Sequence, residues 1–261
     1  MQLEYQGKSA LIIASSQGLG KAIAKKLAEQ GVNVMISSRD EEKLKQVKNE
    51  LERTAKGKIQ YKACDIKNKE DIKLLVETTV SELGSIDLLV NNAGGPPAGT
   101  FEEMTDDDWQ HSFELNLLSY IRITREVLPY MKKNGGKIVN IASSSVKEPI
   151  PGLILSNTFR TGIVGLTKTL ATEFAPYHIL INTVAPGRIA TDRVAFLDEK
   201  AAEKQGVSRD VIEEKIKNAI PLGRYGEPEE FANYVAFLLS DANSYMTGQT
   251  LLIDGGLIKS I

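Results

Sequence analysis

The chain has 261 residues, 42% of them hydrophobic and 25% charged, with a net charge of -2, the make-up of a soluble chain forming one large α/β domain or two small ones. Its 32 basic residues form no blocks, no apolar run reaches membrane-spanning length and the first residues lack the zones of a signal peptide, so neither a nucleic-acid surface nor a membrane anchor is expected. Cys64 is the only cysteine and His111 and His178 the only histidines, so internal disulfides are excluded and a cytoplasmic protein without a structural metal is expected.

In chain order the pattern predicts a strand at 9–14 and a helix at 18–29, with Ala22, Ile23, Leu27 and Ala28 on one face. A strand follows at 32–37, a charged helix at 41–53, a strand at 59–64 and a helix at 69–83. A fourth strand covers 86–91, one long helix 109–133 and a fifth strand 137–142. The chain then runs through a proline-bearing loop to a helix at 157–174, a strand at 179–184, a helix at 229–239 and a last strand at 250–253. Strands that are near-continuous apolar runs, alternating with helices, predict a doubly wound parallel sheet in a single domain, 1–261. Residues 193–218 interrupt the rhythm. They are charged, without a strand and broken by Gly206, and read either as a helical lid over a cleft or as an inert surface insertion.

Gly18 and Gly20 stand where the first strand turns into a helix, a place where backbone N–H groups and the helix dipole can hold a phosphate. The second strand ends in Ser38 and Arg39. A ribose 2′-hydroxyl calls for a carboxylate there, a 2′-phosphate for a cation and a hydroxyl, so NADP(H) is expected over NAD(H). Asp40 follows as a candidate helix cap. Asp65 reads equally as an adenine contact or as a turn former. NNAG at 91–94 ends the fourth strand, and Gly94 there would let a ligand approach the backbone.

The glycine turn at 14–20, NNAG at 91–94, Asn116, VNIASS at 139–144, INTVAPG at 181–187, Thr191 and TGQTLLIDGG at 247–256 together resemble a short-chain dehydrogenase/reductase. The resemblance covers nearly the whole chain. It implies a seven-stranded Rossmann-like sheet, hydride transfer with NAD(P)(H) to a small-molecule substrate, and a homotetramer or homodimer. It places Gly18, Leu19 and Gly20 under the pyrophosphate, Ser16 and Arg39 at the 2′-phosphate, Asp65 and Ile66 beside the adenine and Asn92 by a ribose. Pro186, Gly187, Ile189 and Thr191 would face the nicotinamide. Ser143 matches the family's catalytic serine and Asn116 its water-holding asparagine.

Two departures stand out. The turn opens Ile13–Ala14 where the family has Thr-Gly. Counting from Ser143, the catalytic tyrosine and lysine positions fall on Ser156 and Arg160. Serine is too weak an acid to replace the tyrosine, and arginine does not carry protons near neutrality. Three readings follow: conjugate reduction of an enone, carbonyl reduction with a substitute donor such as Tyr120 or water, or an NADP-binding pseudoenzyme that senses or scaffolds. KEPIPG at 147–152, LSN at 155–157 and ATDR at 190–193 resemble a tyrosine-less branch of the family that includes a conjugate reductase. Lys147, Arg188 and Arg193 near the expected cleft point to an anionic substrate.

Overall fold

The computed structural model describes residues 4, 5 and 7–260. Seven strands form one parallel sheet: β1 (Ser9–Ile12), β2 (Asn33–Ser38), β3 (Ile59–Ala63), β4 (Leu88–Asn91), β5 (Gly136–Ile141), β6 (Ile179–Pro186) and β7 (Thr250–Ile253). Their order is β3-β2-β1-β4-β5-β6-β7, the expected doubly wound arrangement. Successive side chains of a strand point to opposite faces, and the core divides accordingly. Ala10 and Ile12 join one cluster with α1 (Gly18–Glu29), α2 (Glu41–Leu51) and α9 (Pro228–Leu239). Leu11 and Ile13 join the other with α3 (Lys69–Leu83), α5 (Ser119–Asn134) and α6 (Ile154–Phe174). Ile23, Ala24, Leu27 and Ala28 of α1 are fully buried, as their helical spacing requires, and each large apolar side chain so buried contributes about 1.5–3 kcal/mol.

Three boundaries differ from expectation for physical reasons. The first strand stops at Ile12, because Ala14 turns into the left-handed region at φ 50°. The single helix expected at 109–133 starts earlier, as α4 (Asp106–Phe113), where Thr105 and Asp108 form a reciprocal capping box. It then passes through a π-helical turn (Glu114–Leu118) into α5. The 193–218 segment is two helices, α7 (Asp192–Gln205) and α8 (Arg209–Ala219), separated where Gly206 adopts φ 66°.

A buried polar ladder crosses the middle of the molecule. Asn91 on β4 donates to Asn140 on β5 (2.9 Å) and to Thr124 on α5 (3.1 Å), and Asn140 donates to Thr167 on α6 (2.9 Å). Thr183 on β6 also donates to Thr167, at 2.8 Å.

Candidate active site

The strand order reverses between β1 and β4, and the loops leaving their carboxyl ends diverge there. That divergence is where doubly wound sheets bind ligands. On the β1 side the turn is held from both neighbours. Ser15 Oγ donates to Ile12 O (2.7 Å) and accepts from the Ser37 amide (2.9 Å), while Asn92 Nδ2 donates to Ala14 O (3.2 Å). A Cβ on Gly20 would lie 2.4 Å from Ala14 O, so only glycine lets α1 start so close to the turn. No side chain caps the first turn of α1, which leaves its N–H groups for an anion. A cavity of about 260 Å³ opens beside it, lined by Gly18, Lys21, Lys25 and Thr191 and also by the carboxylates Glu50, Asp192 and Glu229, of which Glu50 pairs with Lys21 at 2.7 Å. The bare face of Gly18 looks toward the Thr191 methyl, 3.7 Å from where a Cβ would sit. The glycine turn and the uncapped start of α1 fit a dinucleotide pyrophosphate.

Arg39 is exposed just past β2 and Ser38 half-buried at its end. Asp40 caps α2 through the Lys43 amide at 3.0 Å, so its carboxylate is occupied away from any ribose. Asp65 Oδ1 accepts from the Lys67 amide at 3.0 Å and so forms a turn, with Ile66 buried next to it. On the β6 side, Gly187 packs against Asp254, which a Cβ would approach to 2.5 Å. Ile189 is buried, and Thr191 caps α7 by accepting from the Val194 amide. Ser16 and Leu19 lie half-buried along the glycine turn.

Ser143 follows β5 and accepts from the Ser145 amide at 3.2 Å. Ser156 and Arg160 share one face of α6 and are buried, with 9% and 5% exposure. Asn157 clips the start of that helix to the preceding loop, exchanging two hydrogen bonds with the backbone of Ile150. Arg160 turns inward. Nη1 donates to Tyr120 Oη (3.0 Å) and Ile141 O (2.9 Å), and Nη2 to Ala93 O (3.2 Å) and Gly94 O (3.5 Å). All four hydrogens of its two terminal nitrogens are thus committed to the ends of β4 and β5 and to α5. Tyr120 is fully buried and donates to Ile141 O at 2.9 Å. Burial pushes its phenol up, against a downward pull from Arg160. Asn116, in the π turn, donates to Gly94 O at 2.7 Å, while its buried Oδ1 has no protein partner. That is an acceptor left for a hydroxyl or a water. Single-residue π insertions recur at functional sites.

Of the cations expected at the cleft, Lys147 is exposed, and Arg188 pairs with the buried Asp198 at 2.7 Å. Arg193 reaches back to Pro96 O at 2.8 Å. Gly95 and Asp198 carried no recognisable signal in the sequence. A glycine beside NNAG reads as part of the same turn, and an aspartate on a charged helix reads as solvated. Among the described residues no His, Cys, Asp and Glu cluster could hold a metal ion, and no helix is long and apolar enough to cross a membrane.

Residues 13–258 match the family model described as enoyl-(acyl carrier protein) reductase. The chain is 37% identical over 258 residues to the 3-oxoacyl-[acyl-carrier-protein] reductase FabG of Aquifex aeolicus, covering 98% of this chain and 100% of that one. The chain belongs to the short-chain dehydrogenase/reductase family. It is therefore a member of a family of oxidoreductases, and solved structures of that family superpose on it closely. YwfH, an NADPH-dependent reductase involved in bacilysin biosynthesis, is 32% identical with a TM-score of 0.92, covering 97% of this chain and 99% of that one. An NADPH-bound short-chain oxidoreductase of Pseudomonas aeruginosa PAO1, described as containing an atypical catalytic center, is 28% identical with a TM-score of 0.90, covering 99% and 100%.

Proposed function

We infer that this chain is an NADPH-dependent reductase that adds hydride to a conjugated enone, with Ser156 and Arg160 in place of the family's tyrosine and lysine. The observation that carries this reading is Tyr120. Its hydroxyl is fully buried, donates to Ile141 O and receives Arg160, so this phenol is engaged with the backbone and the guanidinium and is not offered to a substrate oxygen. Neither serine is acidic enough to replace it, and a guanidinium offers donors but does not shuttle protons. A ketone reduced at its carbonyl carbon needs a proton on the nascent alkoxide, and losing a general acid costs about 10²–10⁴ in rate. An enone avoids that demand.

NADPH is supported by the Ser38–Arg39 end of β2 and by the NADPH-dependent and NADPH-bound relatives. Gly18, Leu19 and Gly20 would hold its pyrophosphate, Ser16 and Arg39 its 2′-phosphate, and Asn92, Pro186, Gly187, Ile189 and Thr191 its ribose and nicotinamide. Bound there, it supplies the hydride. The chain's residues manage the charge. As the alkene carbon gains hydride, the π electrons move to the carbonyl oxygen. Ser143 and Ser156 donate to that enolate oxygen, and the fixed charge of Arg160 lowers its energy. Water then protonates the α-carbon. Donors fixed in advance contribute about 10²–10³ each. Asn116 keeps an acceptor for an ordered water or hydroxyl beside Gly94, and α7 with α8 covers the cleft as a lid. We also propose a homotetramer or homodimer through the α4–α5 and α6 surfaces, where the Phe159 ring meets Trp109 edge-to-face and Phe113 at a tilt. A reducing cytoplasm suits the free, buried Cys64.

The test is single-turnover oxidation of NADPH against paired saturated ketones and enones. Turnover confined to the enones is expected, with Ser143→Ala slowing it by about 10²–10³. Turnover of the ketones would overturn the reading. NADPH binding with no oxidation of either partner would instead make the chain an NADP-binding sensor or scaffold.

A further inference from the structure

Two guanidinium groups grip one four-residue loop. Arg160 takes the carbonyls of Ala93 and Gly94 from α6, and Arg193 takes that of Pro96 from α7. Arg193 packs on the bare face of the residue between, since a Cβ on Gly95 would lie 2.6 Å from its Nε and 2.7 Å from its Nη2. Its Cζ also stands 5.6 Å from the centroid of the Phe196 ring. Neither arginine has a carboxylate in ion-pair range among the described residues. The neighbouring Arg188, by contrast, is neutralised by Asp198. Burial pulls the Arg193 guanidinium below its ordinary range, and the charge of Arg160 pulls it further. Two like charges are thus held partly out of water by carbonyl dipoles, the Tyr120 hydroxyl and the Phe196 ring, with no opposing charge, a costly arrangement that an arriving anion relieves.

We propose that Arg193, seated on Gly95, is the carboxylate anchor of the substrate, and that the substrate class is a small carboxylic acid carrying the enone. The proposal rests on the reading of this cleft as the substrate site. A carboxylate and a guanidinium can make paired, charge-assisted hydrogen bonds, which gives the anchor direction as well as strength. Its position on the first turn of α7 means that seating the acid also holds that helix against the 93–96 loop.

The test reads binding, not turnover. Protein saturated with NADP⁺ is titrated calorimetrically with 4-oxocyclohexanecarboxylate and with its methyl ester, in wild type, Arg193→Gln and Gly95→Ala. Wild type is expected to prefer the acid by about tenfold or more, the factor a charge-assisted hydrogen bond supports. Both substitutions are expected to bring the ratio close to one, with NADPH affinity within about twofold of wild type. Gly95→Ala keeps every charge and displaces only the guanidinium, so it decides the matter if Arg193→Gln loosens α7. No binding of the acid, equal affinity for acid and ester, or a preference that survives both substitutions would overturn the proposal. So would a tenfold loss of NADPH affinity in Arg193→Gln, because the anion served would then be the cofactor's phosphates. Absence of NADPH oxidation would bear on the reductase reading alone.

Discussion

Ala14 sits at φ 50°, where the Cβ of an L-residue crowds the following carbonyl at a cost of about 1–2 kcal/mol. The sequence showed a small residue where the family has glycine, but not that the turn keeps the glycine's backbone conformation. Ala14→Gly relieves the crowding and returns about 0.4–1 kcal/mol to the unfolded chain as entropy. The expected net gain is about 0.5–1 kcal/mol, read as a rise of roughly 1–4 °C in melting temperature; no rise, or a fall, would mean the turn is not crowded. Arg160 shows the opposite limit. Its spacing from Ser156 was plain in the sequence, and so was its helical face. Its direction was not, because the acceptors that draw it inward belong to Ala93, Gly94, Tyr120 and Ile141, distant positions with no shared pattern. Asp40 was legible throughout, since a helix cap is a local matter.

Helices α7 and α8 are charged and only lightly anchored by apolar contacts, with Ala202 and Ile212 among their few buried hydrophobics. What pins α7 is Asp198, which accepts from Arg188 Nη1 at 2.7 Å and from Tyr225 Oη at 2.8 Å. Removing one member of a buried pair typically costs about 3–5 kcal/mol. The Arg188 side chain is 26% exposed and can recover some hydration, so Asp198→Ala is expected to cost about 2–3 kcal/mol. The loss should be local. Amide exchange across α7 and proteolysis near Gly206 are expected to speed up, while the sheet amides stay protected. Uniform loss of protection would instead make Asp198 a support of the whole fold. The break at Gly206 could be read in advance, because glycine punctuates helices. The π turn at 114–118 could not, because a helix carries no repeating pattern that announces one inserted residue.

At the scale of the molecule, the sheet and its two-sided cover were readable because seven apolar runs alternate with segments of helical periodicity. The strand order that opens the crevice and the loops that shape it were not legible, since both depend on partners far along the chain. Stability toward acid is also a property of the whole. The carboxyls of Glu82, Glu103, Asp108, Glu213 and Glu230 are held below their usual range, each chiefly by hydrogen bonds from cationic side chains or from a threonine cap. Glu230, gripped by both terminal nitrogens of Arg224, falls to about 2. A depressed carboxyl binds protons less readily folded than unfolded. Its contribution is therefore complete above the unfolded value and is lost as pH falls through the folded one. The melting temperature is expected to drop between about pH 5 and pH 2, and Glu230→Gln to flatten that drop; an unchanged slope would remove Glu230 from the account. The ladder from Asn91 through Asn140 and Thr167 to Thr183 works on the same scale but guards something else. It joins three adjacent strands and one helix, so a one-residue slip of any strand would carry its polar member to the wrong face. Amides and hydroxyls would then be stranded in oil. The ladder acts as a checksum on strand alignment: misassembled sheets are penalised where apolar packing alone would tolerate them, and any drift toward apolar residues at these positions has to change several of them together.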